Sequence, residues 1–237
     1  MRLAKPHLDI GIYVRDTEPA LRFWQDEVGA KFDHVLPLGP GLRQHRHDIH
    51  GSVLKINNSL EPRPDAPPTG YQELLVAREG LDAPKSLKDP EGNRVSLVPP
   101  GTFGVTKVGV RLAVRDLGAH RHFYGKALGL AEEKVEGANA AFRAGDSIIL
   151  LDQSNEAPSD AQIGGFGWRY ITFQIFKVDE EHAFALANGA GEGRSPVTLG
   201  ETFGNTYPVI SGLKAGDKVI TSGLQFLQEG APVKPLG

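Results

Sequence analysis

The chain has 237 residues, 26 Lys plus Arg against 29 Asp plus Glu, a formal net charge of -3, and 40% apolar against 23% charged residues; that is a folded chain, long enough for one large or two small domains at roughly 100–150 residues each. Zero cysteines exclude disulfides, zinc–thiolate sites and cysteine nucleophiles, and the near-neutral balance gives no electrostatic basis for nucleic-acid binding. No apolar run reaches the roughly 18 residues of a membrane span, and Met1 to His7 holds no apolar signal region, so a cytoplasmic protein without a membrane partner is expected.

The 29 glycines and 17 prolines favour short elements joined by turns over a helical bundle. In chain order, apolar and β-branched content predicts a strand through Ile12-Tyr13-Val14, with Asp16 placed to cap a helix over 17–28. Leu21, Trp24 and Val28 share one face of that helix, and Gly29 stands where it stops. Strands follow at His34 to Leu38, Arg43 to Ile49 and Ser52 to Asn57, and then a Pro-rich linker from Glu61 to Thr69. Tyr71 to Val76 is a strand, and Asp89-Pro90-Glu91-Gly92-Asn93 is a turn before another strand, Arg94 to Val98. The helix expected between them is missing or very short. Pro99-Pro100-Gly101 marks a boundary.

The pattern then returns at an offset of 100 residues. Ile12-Tyr13-Val14-Arg15-Asp16, Phe23-Trp24 and Val28-Gly29 become Leu112-Ala113-Val114-Arg115-Asp116, Phe123-Tyr124 and Leu128-Gly129. A helix over 117–128 follows, with Ala119, Phe123 and Ala127 on its apolar face; Phe23, Trp24, Phe123 and Tyr124 are all expected in the core. Strands come next at Ala140 to Arg143 and Ser147 to Leu151. A weaker third copy places a strand at 171–178 and a helix at 179–188. The repeating unit is βαβββ.

These motifs resemble the vicinal oxygen chelate superfamily, which groups glyoxalase I, bleomycin-resistance proteins and extradiol dioxygenases. The matching residues are Val14-Arg15-Asp16, Phe23-Trp24 and Gly29, their counterparts Val114-Arg115-Asp116, Phe123-Tyr124 and Leu128-Gly129-Leu130, and the Asp89-Pro90-Glu91-Gly92-Asn93 turn, within about residues 6–196. The resemblance implies an α+β fold of paired βαβββ modules, their mixed sheets forming half-open cups. It divides the chain into a first domain at 1–100, a second, incomplete one at 101–196, and a short β-rich tail at 197–237. It also implies a divalent metal (Fe, Zn, Mn or Ni), held from the first and last strands of each module, that chelates two neighbouring oxygens of a small-molecule ligand; a homodimer is compatible with it. At those positions the chain offers Asp9, Gly109 and Thr172 on first strands, and Lys55 and Ser96 on last strands. Only Asp9 supplies a good ligand.

The residues themselves suggest a site near the first module. In a strand, His45 and His47 share a face with Arg43, and two imidazoles with Asp9 or Glu73 could form a metal set of two histidines and a carboxylate. Lys55 and Asn57 share a face of the next strand, where a cation and an amide suit an anionic or carbonyl-bearing ligand. Glu73 is a candidate base or ligand. The expectation is that Asp9, His45, His47, Lys55 and Glu73 meet on one concave face.

The segment from Val197 departs from the repeat. Its Gly212-Leu213-Lys214-Ala215-Gly216-Asp217 turn and Gly230-Ala231-Pro232-Val233 ending resemble the C-terminal segment of periplasmic adaptor subunits of resistance-nodulation-division efflux pumps, and a fusion near Thr198-Leu199-Gly200 is expected. Three functions stay open: a metal-dependent lyase or dioxygenase, a metal-free small-molecule binding or resistance protein, and a fragment related to an efflux adaptor.

Overall fold

The computed structural model describes residues 1–38, 41–64, 66–158, 164–191, 198–199 and 209–212. The 100-residue repeat is a repeat of structure. The first copy runs β1 (Asp9–Val14), α1 (Thr17–Arg22), β2 (Lys31–Pro37), β3 (Leu42–Ile49) and β4 (Ser52–Ser59). After β5 (Tyr71–Ala77), β6 (Lys85–Lys88) and β7 (Arg94–Val98), the second copy runs β8 (Val108–Val114), α2 (Leu117–Arg121), β9 (Ala131–Glu133), β10 (Ala140–Ala144) and β11 (Ser147–Gln153). In both copies the first strand is parallel to the last, with Gly11 opposite Lys55 and Gly109 opposite Ile148.

Each helix closes on a widened turn, Phe23–Glu27 or His122–Ala127, and the chain reverses at Gly29 (φ 78°) or Gly129 (φ 66°), the left-handed backbone that favours glycine. Asp116 caps α2 by accepting the Ala119 N–H at 2.8 Å. Asp16 makes no such bond, contrary to expectation; the N–H groups of Arg15 and Asp16 are instead held by the Glu91 carboxylate of the β6–β7 turn. In the widened turn after α2 the buried aromatic is Tyr124, the counterpart of Trp24, and its ring packs 5.7 Å from that of Phe142. Phe123, expected in the core, is 40% exposed, because Tyr124 and Ala127 take the inward face.

Two mixed sheets carry the structure. The five-stranded sheet has the order β12-β1-β4-β3-β2, where β12 is Gly167–Thr172, and the seven-stranded sheet has the order β6-β7-β5-β8-β11-β10-β9. The pairings that complete each sheet are long-range: β5 lies antiparallel to β8 across the Pro99-Pro100-Gly101 boundary, and β12 lies antiparallel to β1. The strand expected at 171–178 thus starts four residues earlier and ends at Thr172, where β1 stops offering partners. α3 (Val178–Ala187) follows, close to its expected span, and buries none of its residues. β13 (Thr198–Leu199) and β14 (Val209–Ser211) pair as a separate ribbon; the remainder of the expected tail lies outside the described residues.

One core joins the helix-bearing faces of both sheets. Ile10, Ile12, Val14, Leu54 and Ile56 meet Trp24 from the first sheet, Val110, Leu112, Phe142 and Ile149 contribute from the second, and Trp24 packs edge-on against Trp168 of β12 at 5.5 Å. Burying each such side chain contributes roughly 1.5–3 kcal/mol. Both sheets are therefore anchored from behind, and their opposite, half-open faces are free to differ. Among the described residues no helix is long and apolar enough to cross a membrane.

Candidate functional site

Side chains alternate across a strand, so the core face of each strand fixes which residues reach the open face. With Ile10, Ile12, Leu54 and Ile56 in the core, Asp9, Gly11, Tyr13, Lys55 and Asn57 occupy the open face of the first sheet. The β3–β4 register sets Gln44 opposite Asn57 and Arg46 opposite Lys55, which adds both to that face. The same register sends Arg43, His45 and His47 to the helix side. His47 is fully buried there, with Nε2 3.0 Å from Gln25 Nε2 and its ring edge-on to Phe32. Burial, the largest influence, pushes the imidazoles of His45 and His47 below their usual pKa. The expected meeting of these histidines with Asp9 does not occur: the sheet separates them.

Glu73 is displaced further. It lies on β5 in the second sheet, where it accepts a hydrogen bond from Ser96 Oγ at 2.5 Å and faces Arg111 Nε at 3.8 Å. Arg111 in turn pairs with Asp152 at 2.6 Å. The rest of this open face is hydrocarbon, a cluster of Leu75, Val98, Val105, Ile148 and Leu150. Gly109, the counterpart of Asp9, is packed so closely that an added Cβ would lie 2.9 Å from Val105 and 3.0 Å from Ile148.

On the first sheet Asp9 is 1% exposed and sits in a cationic setting, with Oδ1 hydrogen-bonded and Oδ2 held only by an ion pair. Lys5 Nζ donates to Oδ1 at 2.7 Å, the Val53 N–H donates to the same oxygen at 2.9 Å, and Lys55 Nζ lies 3.5 Å from Oδ2. Burial alone would raise this carboxyl's pKa; the Lys5 and Val53 hydrogen bonds and the Lys55 charge outweigh it, and the net shift is downward. Lys55 also donates to Thr172 Oγ1 at 2.7 Å, and its own pKa is lowered, chiefly by burial.

Tyr170 of β12 lies across the middle of the face. Its ring occupies the space above Gly11, where an added Cβ would come within 2.1 Å of it. Its hydroxyl accepts from Asn57 Nδ2 at 3.0 Å and from Gln44 Nε2 at 3.4 Å, and burial raises its pKa to about 12, so the phenol is neutral. Arg63, from the linker, stacks 3.7 Å above the Tyr13 ring and donates to the Gly164 carbonyl at 2.7 Å.

Sequence reasoning missed four members of this group: Gln44, Arg46, Arg63 and Tyr170. The first two were within reach, because the two-residue His50-Gly51 turn (φ 54° and 90°) fixes the hairpin register. Tyr170 depends on the β1–β12 pairing across the whole chain.

The metal implied by the resemblance does not fit this donor set. Two ammonium groups already sit within 3.5 Å of the Asp9 carboxylate, and unit charges about 4 Å apart repel by roughly 4 kcal/mol at an effective dielectric of about 20. Thr172 is engaged by Lys55, and among the described residues no group of three or more His, Asp or Glu converges. In the second sheet the corresponding space is filled by Val105 and Ile148.

Comparison with known proteins separates the chain into two relationships. Residues 181–226 match the family model described as RND MFPs, C-terminal permuted SH3 domain. The match begins within α3, earlier than the expected residue 197, and most of it lies outside the described residues. The sequence finds no match among curated proteins. Among solved structures, glyoxalase I from Zea mays is similar at a TM-score of 0.57 and 14% identity, over 77% of this chain and 79% of that one. A single-site variant of the same maize enzyme gives 0.60 and 13%, over the same shares. At this identity the likeness concerns architecture alone: over about 77% of its length the chain has the glyoxalase-like, vicinal oxygen chelate fold, and residues 181–226 are similar to an efflux-adaptor C-terminal domain.

Proposed function

We propose that the open face of the first sheet binds a small, oxygen-rich molecule directly, without a divalent metal, and that the protein is a small-molecule binding protein of the glyoxalase-like fold. The observation that carries this reading is the Lys5–Asp9–Lys55 clamp: at the position from which the resemblance would have a carboxylate hold a metal, two ammonium groups already hold it. With metal chelation displaced, ligand oxygens have to be met by side-chain donors, and Lys55, Arg46, Asn57 and Tyr170 gather there. The maize neighbours are glyoxalase I by name, and the shared fold supports a cup for a small molecule. The efflux-adaptor likeness concerns the tail and supplies no ligand chemistry to this face.

The test is calorimetric titration of the full chain with a panel of small carbonyl, hydroxyl and carboxyl compounds, in a chelator and again with added divalent metal. Binding that persists in the chelator supports the proposal. Binding or turnover that appears only with metal overturns it.

A further inference from the structure

The open face of the first sheet is rich in hydrogen-bond donors and poor in acceptors. Lys5, Arg46, Lys55 and Arg63 bring four cationic groups to it, against the single buried carboxylate of Asp9. Asp48, at the end of the sheet, spends Oδ2 on the Gly51 N–H. Asp9 Oδ1 accepts from Lys5 and the Val53 N–H, Oδ2 has no hydrogen-bond partner but faces Lys55 Nζ at 3.5 Å, and Thr172 Oγ1 accepts from Lys55.

Two guanidinium donors on this face are left over. Arg46 Nε and Arg63 Nη1 are buried atoms with no hydrogen-bond partner. Both guanidinium groups act electrostatically on the Tyr170 hydroxyl. The amide nitrogens of Asn57 and Gln44 beside that hydroxyl, at 3.0 and 3.4 Å, can only donate, so neither takes its proton. No described residue takes it. Buried donors without acceptors are rare in folded proteins and ask for an explanation. Arg46, Lys55, Arg63, Tyr170 and Thr172 each keep part of their surface in contact with solvent, which leaves the group accessible.

We propose that this donor cluster is an oxyanion receptor, in which Tyr170 Oη, Arg46 Nε and Arg63 Nη1 take the carboxylate or phosphoryl oxygens of the bound molecule. The assignment rests on the preceding reading that binding is metal-independent, and it adds the charge class of the ligand. An oxyanion supplies what the face lacks: several acceptor lone pairs on one compact group, and negative charge to offset the excess of cations. A neutral polyol or amide would bring donors of its own into a region already crowded with them.

The test uses the full chain in a chelator with three probes: inorganic phosphate, lactate and its neutral isostere lactamide. The expected result is binding of phosphate or lactate, with lactamide at least about tenfold weaker, corresponding to the loss of a charge-assisted contact. Which anion binds tighter distinguishes a phosphoryl from a carboxylate ligand. Arg46→Met and Arg63→Met should each lower anion affinity by about tenfold or more, and Arg46→Lys should recover less than half of that loss in binding free energy, because the Nε donor is gone. Lys126→Met, an exposed cation on the opposite side of the core, should change nothing. Thermal unfolding of each variant identifies any that fail to fold, in which case Arg46→Gln or Arg63→Gln replaces it. Lactamide binding as tightly as lactate, unaffected by either arginine variant, would overturn the oxyanion assignment and leave metal-independent binding standing. Binding of none of the probes without metal, with restoration by added metal, would overturn both.

Discussion

The two sheets are built from the same repeat and pack on the same core, yet their open faces have opposite chemistry. The difference comes from positions 100 residues apart. Asp9 corresponds to Gly109, which leaves room for Val105 and Ile148; Gly11, which leaves room for the Tyr170 ring, corresponds to Arg111, which reaches Glu73 and Asp152. One face is thereby filled with hydrocarbon and closed ion pairs, and the other with cations and unpaired donors. The backbone decides where a ligand could sit. The residues on one face of two strands decide whether anything does.

The largest effect that would sharpen this contrast is on stability. Leu150, 0% exposed in the cluster that fills the second sheet's open face, should cost about 2–5 kcal/mol when replaced by Ala, read as a shift in the urea midpoint at unchanged slope. A loss below about 1 kcal/mol would mean that this face is not packed as a core. Gly11→Ala is the corresponding change on the first sheet. Its Cβ would push into the Tyr170 ring, so we expect a loss of roughly 1–3 kcal/mol, as for other overpacked sites, together with loss of ligand binding. Retained binding would show that Tyr170 is not part of the receptor.

Asp9→Asn removes the negative charge shared by two lysines and replaces one acceptor oxygen by an NH2 donor. Breaking a fully buried pair costs about 3–5 kcal/mol, but the lysine side chains keep 13% and 20% exposure, which screens the charges and brings the expectation to roughly 1–2 kcal/mol. The smaller prediction concerns pH. His47 is buried and its pKa is lowered, chiefly by desolvation, so the unfolded chain binds protons that the folded one refuses. Stability is therefore full above about pH 6.5 and falls as pH drops below that value towards the folded pKa, at up to about 1.4 kcal/mol per unit for this group. Melting curves between pH 7 and pH 5 should be flatter for His47→Gln than for the parent chain. An identical slope would place the imidazole in contact with water.

Local order was legible in the sequence where neighbouring residues decide it. The helices, their terminal Gly29 and Gly129, and the turn at Asp89 to Asn93 all follow from spacing and backbone preference, and the 100-residue repeat pointed to two matching modules. That His45 and His47 share a face was legible as well, but not which face. Arg43 to Asp48 is polar on both sides, and its apolar ends, Leu42 and Ile49, lie on opposite faces, so alternation alone gives no inward direction. The face is set by where Trp24 and Phe32 pack. Likewise the run from Phe173 to Val178 resembles a strand as well as Trp168 to Thr172 does; the register with β1 selects the latter. The donor cluster was hidden for the same reason, since Tyr170 and Arg63 reach it from distant segments.

The central claim is that the first sheet's open face works without a metal. Elemental analysis tests it most directly: the full chain is purified without added metal, then equilibrated in turn with iron, zinc, manganese and nickel and desalted. We expect only trace metal in every case, with Asp9→Ala indistinguishable from the parent chain. One equivalent of metal per chain, lost on Asp9→Ala, would contradict the claim and return the site to metal-dependent chemistry.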